Sequence, residues 1–309
     1  MKERDERPKF IIRFPLPYKV DGPKSAGNAD EKLRCEVATY IWIQDHCPDI
    51  PIPRLRGFGF SSGQTFTALD NVPLYSRVFA IPPLKTGYLL LDYIDRTEAT
   101  MLSESWETHG HDQGRRMALF KGLSRILLSL SQTPLPRLGS FTINDQGVVS
   151  LSNRPLTLRL HQMESEGIPP AITPRTKTYT STELYLLDLL AGQDQRLAHQ
   201  LNAINSESDC KAQMAALTGV RATLHHFLDR DQSAGPFYLT FTDTHQSNIF
   251  VDHDWNIKYL IDLEWACALP WQLQRVPYYW LTSKSVDSLL QEREPRGIQP
   301  GARGVYVGL

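Results

Sequence analysis

Three side chains in the last quarter of the chain have the types and the spacing that phosphoryl-transfer chemistry uses: Asp243, Asn248 and Asp262. A hard divalent cation such as Mg²⁺ takes oxygen ligands, so a carboxylate and a carboxamide carbonyl suit it. A second carboxylate, kept for the acceptor, orients a hydroxyl and takes its proton. Beyond such positioning and charge neutralisation, phosphoryl transfer asks for little covalent chemistry from a protein. A single Asp near a turn is ordinarily an Asx-turn residue or a strand cap. The joint pattern, not any one residue, carries the reading.

That pattern depends on the segment FYLTFTDTHQSNIFVDHDWNIKYLIDLEW, residues 237–265. FYLTFT reads as a strand that ends at Asp243, and NIFV (248–251) and IKYLI (257–261) read as two more around the turn DHDWN. Folding the hairpin about Trp255 sets Asn248 opposite Asp262 at its open end, to within a residue or two. Asp243 enters the same end on the preceding loop. His245 reads as a loop histidine that orients backbone.

Further elements surround this hairpin. Residues 10–14 (FIIRF) predict a short buried strand stopped by Pro15, and residues 21–28 a turn-rich stretch. Asp30 is placed to cap a helix to about His46, where Leu33, Val37, Tyr40, Ile41 and Gln44 recur at helical spacing and Pro48 ends it. Prolines force IPIPRLRGFGF towards extended backbone. Residues 64–69 and 86–94 predict strands. Helices are expected over 117–130, 182–190 and 211–229, with loops and short strands over the proline-rich 134–178. Within that stretch RPLTLRLHQ (154–162) alternates and reads as a basic edge strand. The YYW cluster at 278–280 is expected to pack under the hairpin, and His109, His111, His225 and His226 to be ordinary solvent or partly buried histidines.

Strands first and helices later give an α+β class. At 309 residues the chain exceeds one ordinary core, which predicts two lobes. A formal net charge of -1 gives no overall field to draw nucleic acid or an anionic membrane, and neither is expected as a partner. Four cysteines (Cys35, Cys47, Cys210, Cys267) lie far apart with no C-x-x-C pair, which predicts reduced thiols rather than zinc ligation or a disulfide scaffold. The charged start MKERDERPK is unlike a secretory signal, and apolar runs such as YLLLDYI are too short to span a bilayer. A soluble, cytoplasmic protein is the expectation.

DTHQSNIFVD followed by LIDLEW resembles the catalytic and metal-binding loops of the aminoglycoside phosphotransferase and choline kinase-like family, in particular its members from filamentous fungi. The resemblance implies a protein kinase-like fold with a small strand-rich N-terminal lobe (1–93), a larger mainly helical C-terminal lobe (94–290) and an irregular tail (291–309). It implies ATP and Mg²⁺ as cofactors and a hydroxyl of a small molecule as acceptor. Carried over by motif, Asp243 would be the catalytic base, and Asn248 and Asp262 the Mg²⁺ ligands, with Glu264 in a supporting or second-metal role. FIIRFPLP resembles the strand that bears the phosphate-reaching basic residue, here Arg13. NADEKLRCEVATYIWI resembles the following helix, with Glu36 as the ion-pair partner. GYLLLDYI resembles the strand into the hinge that would meet adenine.

The chain departs from the family pattern in places. Arg13 stands where kinases generally carry lysine, and a planar fork is no conservative exchange for an ammonium. No G-x-G-x-x-G occurs, so the N-terminal lobe lacks a glycine-rich loop and both ends look shortened. The usual H-G-D reads Phe241-Thr242-Asp243, and Phe241 is expected to brace the loop by packing alone. These departures define the alternative, a catalytically inactive pseudokinase that serves as a binding module, and beyond it an incomplete product that folds poorly. The motifs carry no signal for the acceptor's identity, for ATP over GTP, or for an oligomeric state.

Overall fold

A computed structural model describes residues 8–15, 26–68 and 86–274. The YYW cluster and the tail lie outside the described residues. Helix and strand are mixed throughout. Strands β1 (Phe10–Arg13), β2 (Leu55–Gly59), β3 (Thr65–Thr67) and β4 (Tyr88–Asp92) form one antiparallel sheet in the order β1-β4-β2-β3. β4 takes its central place because its alternating leucines, Leu89 and Leu91, are buried while its neighbours in the strand are half-buried.

Helix α1 (Asn28–His46) underlies this sheet. It starts two residues before Asp30, because Gly27 breaks the chain with φ 87. That positive φ favours glycine there; the tip of the Arg175 side chain, 2.8 Å from where a Cβ would sit, is flexible enough to move aside. Asp30 therefore sits in the first turn, where its charge favours the helix dipole, rather than at the cap. Leu33, Val37 and Tyr40 are fully buried, as their spacing predicts, whereas Ile41 and Gln44 are only partly buried and Ile43 is fully buried instead. Trp42 stacks on Phe141 with ring centroids 5.0 Å apart.

Phe141 belongs to the hairpin of β6 (Ser140–Ile143) and β7 (Val149–Asn153), which packs against α1. Strand β5 (Thr100–Met101) and helices α2 (Leu102–His109) and α3 (Gln113–Ser131) come between. Asp112 caps α3, accepting from the Gly114 and Arg115 amides. After the β6–β7 hairpin come α4 (Leu158–Ser165), α5 (Thr182–His199) and α6 (Glu207–Thr223); α5 runs nine residues past its expected end, and α6 starts four residues early and ends at Thr223 rather than 229, giving way to a 3-10 turn. Ser206 explains the early start of α6, because its hydroxyl accepts from the Asp209 amide.

Helix α4 corrects the sequence reading. RPLTLRLHQ is not a basic edge strand: Thr157 adopts an extended cap conformation, its hydroxyl accepts from the Leu160 amide at 3.3 Å, and helix follows. Leu160, His161, Met163 and Glu164 then share the buried side at helical spacing. Arg154, expected at an edge, is among the most buried side chains of the molecule.

Strands β8 (Phe237–Phe241), β9 (Ile249–Val251), β10 (Ile257–Leu260) and β11 (Ala266–Pro270) complete the order. β8 pairs with β11, and β9 lies between β10 and β5. The β9–β10 turn is closed by Trp255, which has φ 63 yet is almost wholly buried. Its indole stacks on Trp106 at 5.3 Å and donates to Ser105 Oγ at 2.9 Å. Burial of so large a ring offsets the backbone cost of a left-handed turn residue. Among the described residues, no helix is long and apolar enough to cross a membrane.

Candidate active site

The hairpin brings the sequence-predicted residues to one end. The Ile261 amide donates to the Asn248 carbonyl at 3.0 Å, so Asn248 shares the last rung with the residue before Asp262. The loop from Asp243 turns back through a 3-10 turn (Gln246–Asn248), and the Asn248 carboxamide donates from Nδ2 to the Asp243 carbonyl at 3.0 Å. That bond uses the donor end of the amide and leaves its carbonyl oxygen, the end a magnesium ion accepts. His245 Nδ1 accepts from the Ser247 amide at 3.2 Å and lies 2.7 Å from the Ser247 hydroxyl, a local brace of the loop. Asp243, Asn248 and Asp262 line one cavity of about 60 Å³ between the hairpin and α3, floored by Ile126, Ile249 and Leu260.

The bracing of this loop differs from expectation. Phe241 packs on the core as anticipated, but the loop is also held by hydrogen bonds. The Thr242 hydroxyl donates to the Trp265 carbonyl at 2.6 Å, and the Thr242 amide reaches the same oxygen at 3.3 Å. A threonine beside the strand end was the available signal.

Arg13 and Glu36 meet across the sheet and α1, with Nη1 to Oε1 at 2.7 Å. The same guanidinium bonds Asp262 and lies 3.9 Å from Glu264. Carboxylate oxygens of Glu36, Asp262 and Glu264 lie within 4.8 Å of one another, a set that could hold a metal ion. Burial opposes the Arg13 charge, but Glu36 and Asp262 outweigh it and hold the guanidinium protonated more firmly than usual. Burial pushes Glu36 up to about 7 against the pull of Arg13, with Glu264 and Asp262 adding to the rise. Burial also raises Glu264, which Lys32 partly offsets, and raises Asp243, with His245 working the other way. Among the described residues, the site thus holds more carboxylate than its two cations, Arg13 and Lys32, can neutralise. Such a charge balance favours a further cation.

Lys32 was missed in the sequence. It stands four residues before Glu36, hence on the same helical face, and that spacing was the readable signal.

A second cavity of about 250 Å³ opens on the other side of β9, lined by Ile11, Leu91, Tyr93, Ile94, Phe250 and Ile261, with Arg13 at its edge. Its walls include β1, the strand read as leading to a hinge, the β5–α2 segment and β9. Asp92, at its rim, is held by a bidentate pair from Arg56 at 2.6 and 2.8 Å.

No protein-family model matches the chain, and no curated protein matches it. Among solved structures, it is similar to an ethanolamine kinase from Plasmodium vivax at 13% identity and a TM-score of 0.39, over 97% of this chain and 68% of that one.

Proposed function

We propose that the chain is a two-lobed, kinase-like phosphotransferase that uses ATP and Mg²⁺ to phosphorylate a hydroxyl of a small molecule. In this reading residues 1–93 form the smaller lobe and 94–290 the larger. The observation that carries it is the meeting of Asp243, Asn248 and Asp262 at one cavity, with Asn248 paired across the last hairpin rung to the residue before Asp262. The residue types fit a hard cation: Asp262 and the Asn248 carbonyl oxygen would hold Mg²⁺, with Glu264 in support. When bound, the ion would neutralise charge developing on the phosphates.

The chain's own residues have separate tasks. Asp243 orients the acceptor hydroxyl and takes its proton, and a carboxylate raised by burial is the better proton acceptor. Asn248 fixes the loop through the Asp243 carbonyl, so the base and the ligand move as one unit. Arg13, pinned by Glu36, supplies positive charge at the rim of the 250 Å³ cavity. The apolar walls of that cavity suit a nucleotide base.

Asp243→Asn tests the assignment. The variant should keep the Mg·ATP-dependent rise in melting temperature and lose turnover by roughly 10²-fold or more. Equal loss of binding and turnover would contradict the base role. A second reading, the inactive binding module, is favoured by one observation: Arg13 engages the same Asp262 carboxylate that a cation needs. The two separate on ATP hydrolysis by the purified chain without acceptor. Hydrolysis supports the enzyme; Mg·ATP binding with no hydrolysis or transfer supports the module.

A further inference from the structure

Lys32 contacts the segment after Asp262. Its Nζ donates to Glu264 Oε1 at 2.9 Å and lies 5.4 Å from the centroid of the Trp265 ring. Both partners belong to the 3-10 turn Leu263–Trp265 that starts immediately after Asp262. Asp262 itself has φ 58 and ψ 58, a left-handed conformation. Aspartate tolerates this conformation better than most residues but does not favour it over the ordinary regions, so the neighbouring turn helps to maintain it.

Several contacts hold that turn. Thr242 grips the Trp265 carbonyl. His161 meets the Trp265 ring edge-on at 5.1 Å. Both act on Trp265. Lys32 alone of these three also takes the Glu264 carboxylate, the acidic group nearest in sequence to Asp262. The lysine is well seated for this. Its side chain is only 16% exposed, and the residue before it, Glu31, is locked by Arg154 at 2.8 Å on both carboxylate oxygens. Without Lys32, the buried Glu264 would have Arg13, now 3.9 Å away, as its remaining cation among the described residues. Arg13 would then be drawn between Glu264 and Asp262.

We infer that Lys32 is a positioning residue: by tying Glu264 and Trp265 to α1, it holds Asp262 in the left-handed conformation that presents its carboxylate to a divalent cation. This rests on the phosphotransferase reading, in which Asp262 is the cation ligand. Lys32 itself touches neither cation nor nucleotide. Partners that orient a ligand in this way typically govern metal affinity by about 10–100-fold.

The test compares the full chain with Lys32→Met and Lys32→Arg, reading Mn²⁺ binding by paramagnetic resonance at fixed ATP and metal-free ATP binding by calorimetry. Lys32→Met should weaken Mn²⁺ by about ten-fold and leave metal-free ATP affinity unchanged. Lys32→Arg, which keeps a donor and the charge, should recover most of the loss. Unchanged Mn²⁺ affinity in Lys32→Met, with the unmodified chain binding normally, overturns the inference and leaves the phosphotransferase reading intact. Equal losses of Mn²⁺ and metal-free ATP also overturn it, because Lys32 would then serve nucleotide or fold. No Mn²⁺ uptake by the unmodified chain with ATP present removes the phosphotransferase reading itself. Should Lys32→Met fail to fold, Lys32→Gln keeps a donor for Glu264 without the charge and carries the same measurement.

Discussion

Replacing Asp262 with alanine is expected to abolish the rise in melting temperature that Mg·ATP gives the unmodified chain. A ligand present at a hundred times its dissociation constant stabilises a fold by about 2.7 kcal/mol. For a chain of 309 residues that is a shift of roughly 4 °C. The variant should show little of it, because Asp262 is, among the described residues, the carboxylate that shares both the cavity of Asp243 and Asn248 and the acidic set with Glu36 and Glu264. Alanine also loses the tolerance that aspartate has for a left-handed backbone, so some loss of unliganded stability accompanies it. Asp262→Asn separates the two effects. Asparagine accepts the same backbone conformation and removes the charge, so its unliganded melting point should fall less while the Mg·ATP response is still lost. A full response in both variants would place the cation elsewhere and remove Asp262 from the site.

The juxtaposition behind this expectation was legible because it is local. Alternating apolar residues and a short turn determine a hairpin's register, and register alone puts Asn248 beside Asp262. The apolar stripe of α1 was legible for the same reason, and with it the position of Glu36 on the edge of that stripe. What the sequence did not disclose are contacts between segments far apart in the chain. Arg13 reads as the phosphate-reaching cation paired with Glu36; in the fold the pair with Glu36 forms, but the guanidinium is also shared with Asp262 and Glu264, residues no periodicity relates to it. Lys32 could be placed on the face of Glu36, but its partner Glu264 lies on the hairpin side. RPLTLRLHQ misled because its leucines alternate, while a single hydroxyl, that of Thr157, starts a helix and resets the period. Alternation over so few residues suits a strand and one turn of helix alike.

Arg154 is the largest of these unread features, and Arg154→Met should destabilise the fold by about 3–5 kcal/mol. All five guanidinium hydrogens have acceptors: Nε and Nη2 bond Glu31, Nη1 and Nη2 bond Glu164, and Nη1 also bonds the Ile172 carbonyl at 3.0 Å. Methionine fills similar space but leaves Glu31 and Glu164 buried with less charge compensation, Glu31 relying on Arg175 at 2.8 Å. The pH dependence identifies the cause. Burial acts to raise Glu31, but bonds from His161 and Arg154 outweigh it and bring its pKa down to about 2 from 4.5. A carboxylate held below its unfolded pKa stabilises the fold above that value and loses the contribution as pH falls through 4.5 towards 2. The unmodified chain and Arg154→Met should therefore differ most in melting temperature at neutral pH. The gap should narrow towards pH 4, where protonation relieves the stranded carboxylates. Exchanging Glu31 and Glu164 for glutamine in the Arg154→Met background should recover part of the loss at neutral pH, since it is the unpaired charge rather than the missing side chain that costs stability. A gap that is small at neutral pH, or that does not change with pH, would mean the network is open to water and contributes little to holding α1 in place.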